Sequence, residues 1–248
     1  MHFYYNNLLT NITPSSTLIG QKIESITTKR LSDRFKLATN QENIVAHYHG
    51  GQELQFFIVD NTRVDGVVTL QANDTDEWTT PSFSQTMLKT DTCYLLVLDN
   101  PILFNYYRFV FDSISQVEIG YIHVGLDRLK LPPLDPRIEL NYNTTDISDF
   151  SISGQVYSDR GYDYLDTRFR FFNIDDSQYT KSGQNIATRK DLISFWELHR
   201  NAIPFWAVID EALNLCPPYF VIINKPNLSF LRNDSLKFDV EIPLREVF

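Results

Sequence analysis

A chain of 248 residues with 43% hydrophobic and 21% charged content is long enough to bury one large β-core or two ordinary ones. Its formal charge of −9, with only the isolated basic pairs Lys29-Arg30 and Arg189-Lys190, argues against nucleic acid and anionic membrane surfaces as partners. No run approaches the ~18 apolar residues of a membrane span. The opening MHFYYNNLLT lacks the basic and apolar regions of a signal peptide, so synthesis in a reducing cytoplasm is expected.

In chain order, the first half reads as short strands between polar turns: 23–27 (IESIT), 53–60 (ELQFFIVD), 63–72 (RVDGVVTLQA), 93–99 (CYLLVLD), 105–112 (NYYRFVFD) and 121–125 (YIHVG). Aromatics make up 14% of the chain, and Tyr and Phe favour strands, so the composition also leans towards β. Cys93, inside an apolar run, is expected to be a buried free thiol, and it forms no CxxC with Cys216. The segment 129–137 (LKLPPLDPR) carries Pro132, Pro133 and Pro136, which remove backbone donors and interrupt helix and strand alike. It divides the chain into a β-sandwich at 1–130, a linker at 131–137 and a smaller α+β domain at 138–248. In the last, strands are expected at 138–142, 167–172, 204–210, 219–223 and 236–247. The final one alternates cleanly, with Phe238, Val240, Ile242 and Leu244 on one face. One helix is expected near 189–200, capped by Thr188 with Asp191, and Leu192, Phe195, Trp196 and His199 at helical spacing lay it across a mostly antiparallel sheet.

The segment AHYHGGQE (46–53) is the strongest candidate for a metal site. His47 and His49 share one face of an extended strand, Glu53 follows four residues on, and imidazole with carboxylate suits zinc or non-haem iron. The pattern His47-x-His49-x-x-x-Glu53 is similar to the first half of the cupin metal motif. The second histidine motif is absent: His123 follows Tyr121 and Ile122 rather than a Pro-x-Gly turn, and Val59 and Asp60 stand where Gly is expected. These histidines read as solvated residues of a turn leading into the strand at 53, and no functional metal is expected. No G-x-S-x-G frame surrounds the serines of 151–154, and Asp163/Asp166 and Asp175/Asp176 lack calcium-loop spacing, so no catalytic residues and no cofactor are expected. Arg108 is placed on an outer strand face, its stem covering apolar surface. Trp78 reads as a core residue or, alternatively, as a ring for stacking on a saccharide.

The stretch 52–73 resembles the core of discoidin-type (galactose-binding-like) domains, and the likeness continues through Trp78, YYRFVF (106–111) and VEIGYIHVG (117–125). With the Pro-containing linker, GQVYSDRG (154–161), TRFRFF, the helix, PFWAVID and the last alternating strand, the order of segments resembles a family of bacteriophage tail proteins. That resemblance implies a discoidin-like, jelly-roll sandwich followed by a small α+β domain. It implies a structural component of the virion tail, made in the host cytoplasm, contacting other virion tail proteins in a symmetric homo-oligomer. The alternative is a module binding host glycans through loops at one end of the sandwich. The third reading is a cupin-like metalloenzyme built on His47, His49 and Glu53.

Overall fold

The structure, a computed structural model, describes residues 1–18, 21–27, 34–60, 62–90, 93–131, 139–144, 147–150, 156–159, 163–175, 186–200, 203–209, 218–224, 228–232 and 237–246. It is mainly β, built on antiparallel sheets, with a single α-helix among the described residues. The chain divides into an N-terminal unit running from Tyr4 to Arg128 and a C-terminal unit of Met1–Phe3, Leu129–Val208 and Tyr219–Val247.

After β1 (His2–Tyr4), the N-terminal unit carries β2 (Ile12–Pro14), a 3-10 turn at Ile23–Thr27, β3 (Phe35–Lys36), β4 (Gln41–Asp60) and β5 (Gly66–Asn73). There follow β6 (Phe83–Thr86), β7 (Leu88–Lys89), β8 (Tyr94–Ser113), β9 (Glu118–Ile119) and β10 (Tyr121–Gly125). Its main sheet runs β10-β4-β8-β5-β6, with β2 on β4 and β7 on β8, while β3 pairs with β9. The two 20-residue strands β4 and β8 pair from Gln41↔Asp112 to Val59↔Tyr94 with two irregularities. From His47 to Gln52 β4 advances five residues while β8 moves two, and from Leu54 to Phe56 the imbalance reverses. The ladder folds over at these bulges. Ile44 and Phe57 would lie ~43 Å apart along a straight strand. Yet the Phe57 ring sits 6.4 Å from Phe109, the ladder partner of Ile44. The two halves of one ladder therefore face each other across a shared core of Leu54, Phe57, Val68, Leu70, Tyr107 and Phe109, and the result is a β-sandwich.

Polar anchors fix the fold-over. The buried Tyr107 hydroxyl shares its one proton between the carbonyls of Gln52 and Ile102, at 2.6 and 2.7 Å, one just past the β4 bulge and one at the β8 bulge. The Gln55 amide donates to the carbonyls of Leu98 and Asp99 at 2.6 and 3.0 Å. Cys93 is buried, as expected.

The C-terminal unit holds β11 (Arg128–Lys130), β12 (Glu139–Thr144), β13 (Ile147–Phe150), β14 (Val156–Asp159) and β15 (Asp163–Asp175). Helix α1 (Arg189–His199), β16 (Phe205–Val208), β17 (Tyr219–Ile223), β18 (Phe230–Arg232) and β19 (Lys237–Glu246) complete it. The sheet order is β11-β1-β16-β17-β19-β15-β12, with β18 on β19. The expected alternation holds, with Phe238, Val240, Ile242 and Leu244 all buried. The expected capping box holds too: Thr188 Oγ1 accepts from the Asp191 amide and Asp191 Oδ2 accepts from the Thr188 amide at 2.8 Å. Phe195 of α1 lies 5.3 Å from Phe3 and 4.8 Å from Phe205, which seats the helix on the sheet.

Three expectations differ from this structure. Residues 23–27 form a 3-10 turn rather than a strand, because Ile23 and Ile26 are three apart and only Ile26 needs burial. HYHGG is not a turn before a strand: β4 runs through it, with Gly50 and Gly51 taking φ of 85° and 80° at the bulge. The two strands expected at 93–99 and 105–112 are one, β8, which begins at Tyr94 and in which Pro101 sits at the bulge and leaves the ladder uninterrupted on either side. The segment holding Pro132, Pro133 and Pro136 lies outside the described residues.

Candidate functional site

Alternation along β4, β8 and β5 sends Ile44, Ala46, Tyr107, Phe109, Leu70 and Ala72 into the core. The outward set is consequently His47, Tyr106 and Asn73 in one row and Val45, Arg108 and Gln71 in the next, as the ladder register pairs them. His47 lies flat on Tyr106, with centroids 4.3 Å apart and planes 3° from parallel. His49 meets the edge of His47 at 4.3 Å.

The chain after β5 turns back over this face. Asn73 directs the turn, donating to the Glu77 carbonyl at 2.6 Å and accepting from Ser82 Oγ at 2.8 Å. Asn105 donates to the Asp74 carbonyl at 3.2 Å, which ties the turn to β8. Trp78 is thereby brought over Arg108, the guanidinium carbon 4.4 Å from the ring centroid, while its indole N–H donates to Asp76 at 2.7 Å. Arg108 Nε donates to Gln71 Oε1 at 3.0 Å. Burial holds the Arg108 guanidinium below its ordinary pKa range, with Asp76 opposing that shift. The result is one strip: His49, His47 and Tyr106, then Arg108 and Trp78, flanked by the amides of Gln71, Asn73 and Asn105. Flat rings can lie on the C–H face of a ligand while guanidinium and amides bond its hydroxyls.

Of the metal candidates, His47 and His49 come together and Glu53 does not join them. Glu53 stands beyond the Gly50–Gly51 bulge, paired with Leu103 and exposed. Among the described residues no group of three His, Cys, Asp or Glu side chains could hold a metal. His123 is buried on β10, its ring 5.4 Å from Phe56, and desolvation lowers its pKa to about 3. Asp166 pairs with Arg245, its cross-strand neighbour, at 2.9 Å. The Asp163 and Asp175 side chains, Asp176, Ser151 and Ser153 lie outside the described residues. Trp78 is half-buried at the turn and is absent from the core cluster, because a ring held over an outward arginine cannot also point inward. Arg108 lies on the outer face, as its alternation with aromatics implied. Tyr106, Gln71 and Asn73 were missed as site residues. Alternation marks each as outward, but only the pairing of three distant strands makes them neighbours.

No family model matches the chain, and no curated protein matches it. Similar solved structures include a family 32 carbohydrate-binding module from Clostridium perfringens in complex with galactose, at 9% identity over 46% of this chain and 91% of that one, TM-score 0.38. Another is chitosan-binding module 1 from a chitosanase/glucanase of Paenibacillus sp. IK-5, at 16% identity over 48% and 98%, TM-score 0.38. A third is a Streptococcus pneumoniae fucose-binding module, at 11% identity over 50% and 99%, TM-score 0.40.

Proposed function

We propose that the N-terminal unit is a carbohydrate-binding module that holds a saccharide on the outer face of β4, β8 and β5 and does not turn it over. The observation that supports this is the side-by-side placement of the His47–Tyr106 stack and the Arg108–Trp78 pair on one face of a rigid ladder. One ring pair offers a flat apolar platform. The neighbouring guanidinium and the amides of Gln71 and Asn105 offer donors and acceptors to hydroxyl groups. Binding by an oligosaccharide panel, followed by titration calorimetry of the best ligand, tests it. Trp78→Ala and Tyr106→Ala should each weaken binding tenfold or more, roughly 1.4 kcal/mol, with folding unchanged. Failure of every saccharide to bind at millimolar concentration, or binding indifferent to both changes, rejects the reading.

A second reading is a structural component of a bacteriophage virion tail, assembled in the host cytoplasm through contacts with other tail proteins or with copies of itself. It is favoured by a groove of about 420 Å³ on the outer sheet face of the C-terminal unit, between Arg170, Phe172, Leu231, Glu241 and Pro243. Phe172 is 44% and Leu231 73% exposed there, an apolar pair on an otherwise charged face. Light scattering across a concentration series tests self-assembly, and a strictly monomeric protein that binds no virion component sets this reading aside.

A further inference from the structure

The outer face that carries the strip does not end at Arg108. The register sets Ser84 of β6 beside Gln71, and one row further along it sets Asn43, Val110, Thr69 and Thr86 side by side across β4, β8, β5 and β6. Alternation turns them outward, since their chain neighbours Ile44, Phe109, Leu70 and Met87 belong to the core. Asn43, Val110 and Thr69 are half-buried, and Ser84 and Thr86 are exposed. Four residues of β8 separate Tyr106 from Val110, a run of ~13 Å, and the four strands span ~14 Å across.

Among the described residues, the hydroxyls of Thr69, Ser84 and Thr86 and the amide of Asn43 bond no other side chain. One row beyond, polar groups do pair: Gln41 Nε2 donates to Asp112 Oδ1 at 3.2 Å. The rows between therefore offer open donors and acceptors over an apolar ground of Val45 and Val110. Charge is scarce there. Histidine aside, Arg108 is the single charged side chain in the rows from Tyr106 to Val110, in a chain that is 21% charged. A ligand with a carboxylate on every unit would set all but one of them against a face without a cation. A ligand of hydroxyl groups meets partners along its whole length. We infer, resting on the saccharide reading, that the ligand is an uncharged polysaccharide chain, several sugar units of which run from the Tyr106 row past Arg108 to the Val110 row. A single terminal sugar on His47 and Tyr106 would leave the Val110 row bare.

The test is calorimetry of the full chain with galactan-derived and cellulose-derived oligosaccharides of one to six sugar units, and with oligogalacturonates of the same lengths. On a neutral ladder, affinity should rise at least tenfold from the single sugar to the hexasaccharide. Each oligogalacturonate should bind more weakly than the galactan chain of equal length. The double change Thr69→Val with Thr86→Val keeps shape and β-branching and removes two hydroxyls from the far row. It should cut the tenfold gain to less than threefold while the circular dichroism stays that of the parent. A hexasaccharide that binds no tighter than the single sugar, or a gain that survives the double change, overturns the extended chain and leaves the saccharide reading standing. Tighter binding of the oligogalacturonates overturns the uncharged class. Failure of every ladder to bind at millimolar concentration overturns the inference and the saccharide reading together.

Discussion

The outward residues of β4, β8 and β5 are Val45 and His47, Tyr106 and Arg108, Gln71 and Asn73; those of β15, β19 and β18 are Arg168, Arg170 and Phe172, Asp239 and Glu241, and Leu231. Both faces arise from the same alternation over a buried apolar set, and both present arginine from a central strand. In the C-terminal unit the register sets Arg170 opposite Glu241, and the two pair at 2.9 Å with Arg168 at 3.7 Å from the same carboxylate. In the N-terminal unit the register sets Arg108 opposite Gln71, and a ring instead of a carboxylate covers the cation. An arginine paired with a carboxylate is already neutralised. One held by an amide and an indole keeps its charge and part of its donors, so register decides which arginine is left for the proposed saccharide.

The largest effects come from the cores under the two faces. Phe57→Ala removes the ring through which the folded ladder meets itself and should cost about 3–5 kcal/mol, with loss of saccharide binding. Phe195→Ala empties the contact of α1 with Phe3 and Phe205 and should cost a similar amount, yet leave saccharide affinity as in the parent. Chemical denaturation followed by intrinsic fluorescence, with calorimetry on the same samples, measures both. Equal loss of saccharide binding in both variants would show that the two faces are not separate devices.

Each unit also buries one histidine, and they should respond to acid unequally. His123 is 3% exposed and desolvation depresses its pKa to about 3, while desolvation also depresses that of His199 against the opposing hydrogen bond to the Ile203 carbonyl. A folded pKa below the unfolded one means that the unfolded chain takes up the proton first. Stability contributed by the neutral ring is therefore complete above about pH 6.5 and declines as pH falls towards the folded pKa. From pH 6.5 to 4.5 His123 should remove about 2–3 kcal/mol. Glu42 and Glu118 have depressed folded pKa values, Glu42 through hydroxyl and amide donors that outweigh its burial and Glu118 first through Lys36. Their contribution is present above the ordinary carboxylate pKa and is lost only below it, outside that window. His123→Leu should flatten the slope more than His199→Phe, and equal slopes in parent and His123→Leu would refute the assignment.

A smaller effect separates the fold-over from simple packing. Tyr107→Phe keeps the ring and removes the hydroxyl that serves the carbonyls of Gln52 and Ile102, so about 1–3 kcal/mol should be lost. Amide exchange should quicken at 48–55 and 98–104 before it does in β5. Uniform loosening of the whole sheet would place the closure elsewhere.

How far the sequence reaches is visible at particular residues. Local chemistry is legible: the alternation of Phe238 to Leu244, the Thr188–Asp191 cap and the outward place of Arg108 all follow from spacing alone. Bulges are not, because Gly50-Gly51 and Asn100-Pro101 carry the same signal whether a strand ends there or bends. The placement of β1 in the C-terminal sheet has no local signature, since its partners β11 and β16 lie more than a hundred residues away. The strip of His47, Tyr106, Arg108 and Trp78 has the same origin. Each residue is ordinary in its own segment, and the site exists only in the register of β4 with β8 and of β8 with β5.

The finest test of the comparison is the coupling within each pair. Arg170 and Glu241 are 47% and 36% exposed at the side chain, so their attraction acts through solvent and two long side chains lose freedom to make it. A double-mutant cycle with Arg170→Ala and Glu241→Ala should give about 0.3–0.5 kcal/mol, falling further in 1 M salt as the charges are screened. The Arg108–Trp78 cycle should give about 0.5–1 kcal/mol, because the cation lies over a ring and part of its hydration is already removed. Salt should change it little, since attraction to a ring quadrupole at 4.4 Å leaves scant room for a screening ion. Any packing of the Arg108 stem that does not involve Trp78 is lost alike in Arg108→Ala and in the double variant, and so cancels in the cycle. If the two couplings prove equal and equally sensitive to salt, Arg108 is held as an ordinary surface ion would be, and its availability to a ligand falls with that result.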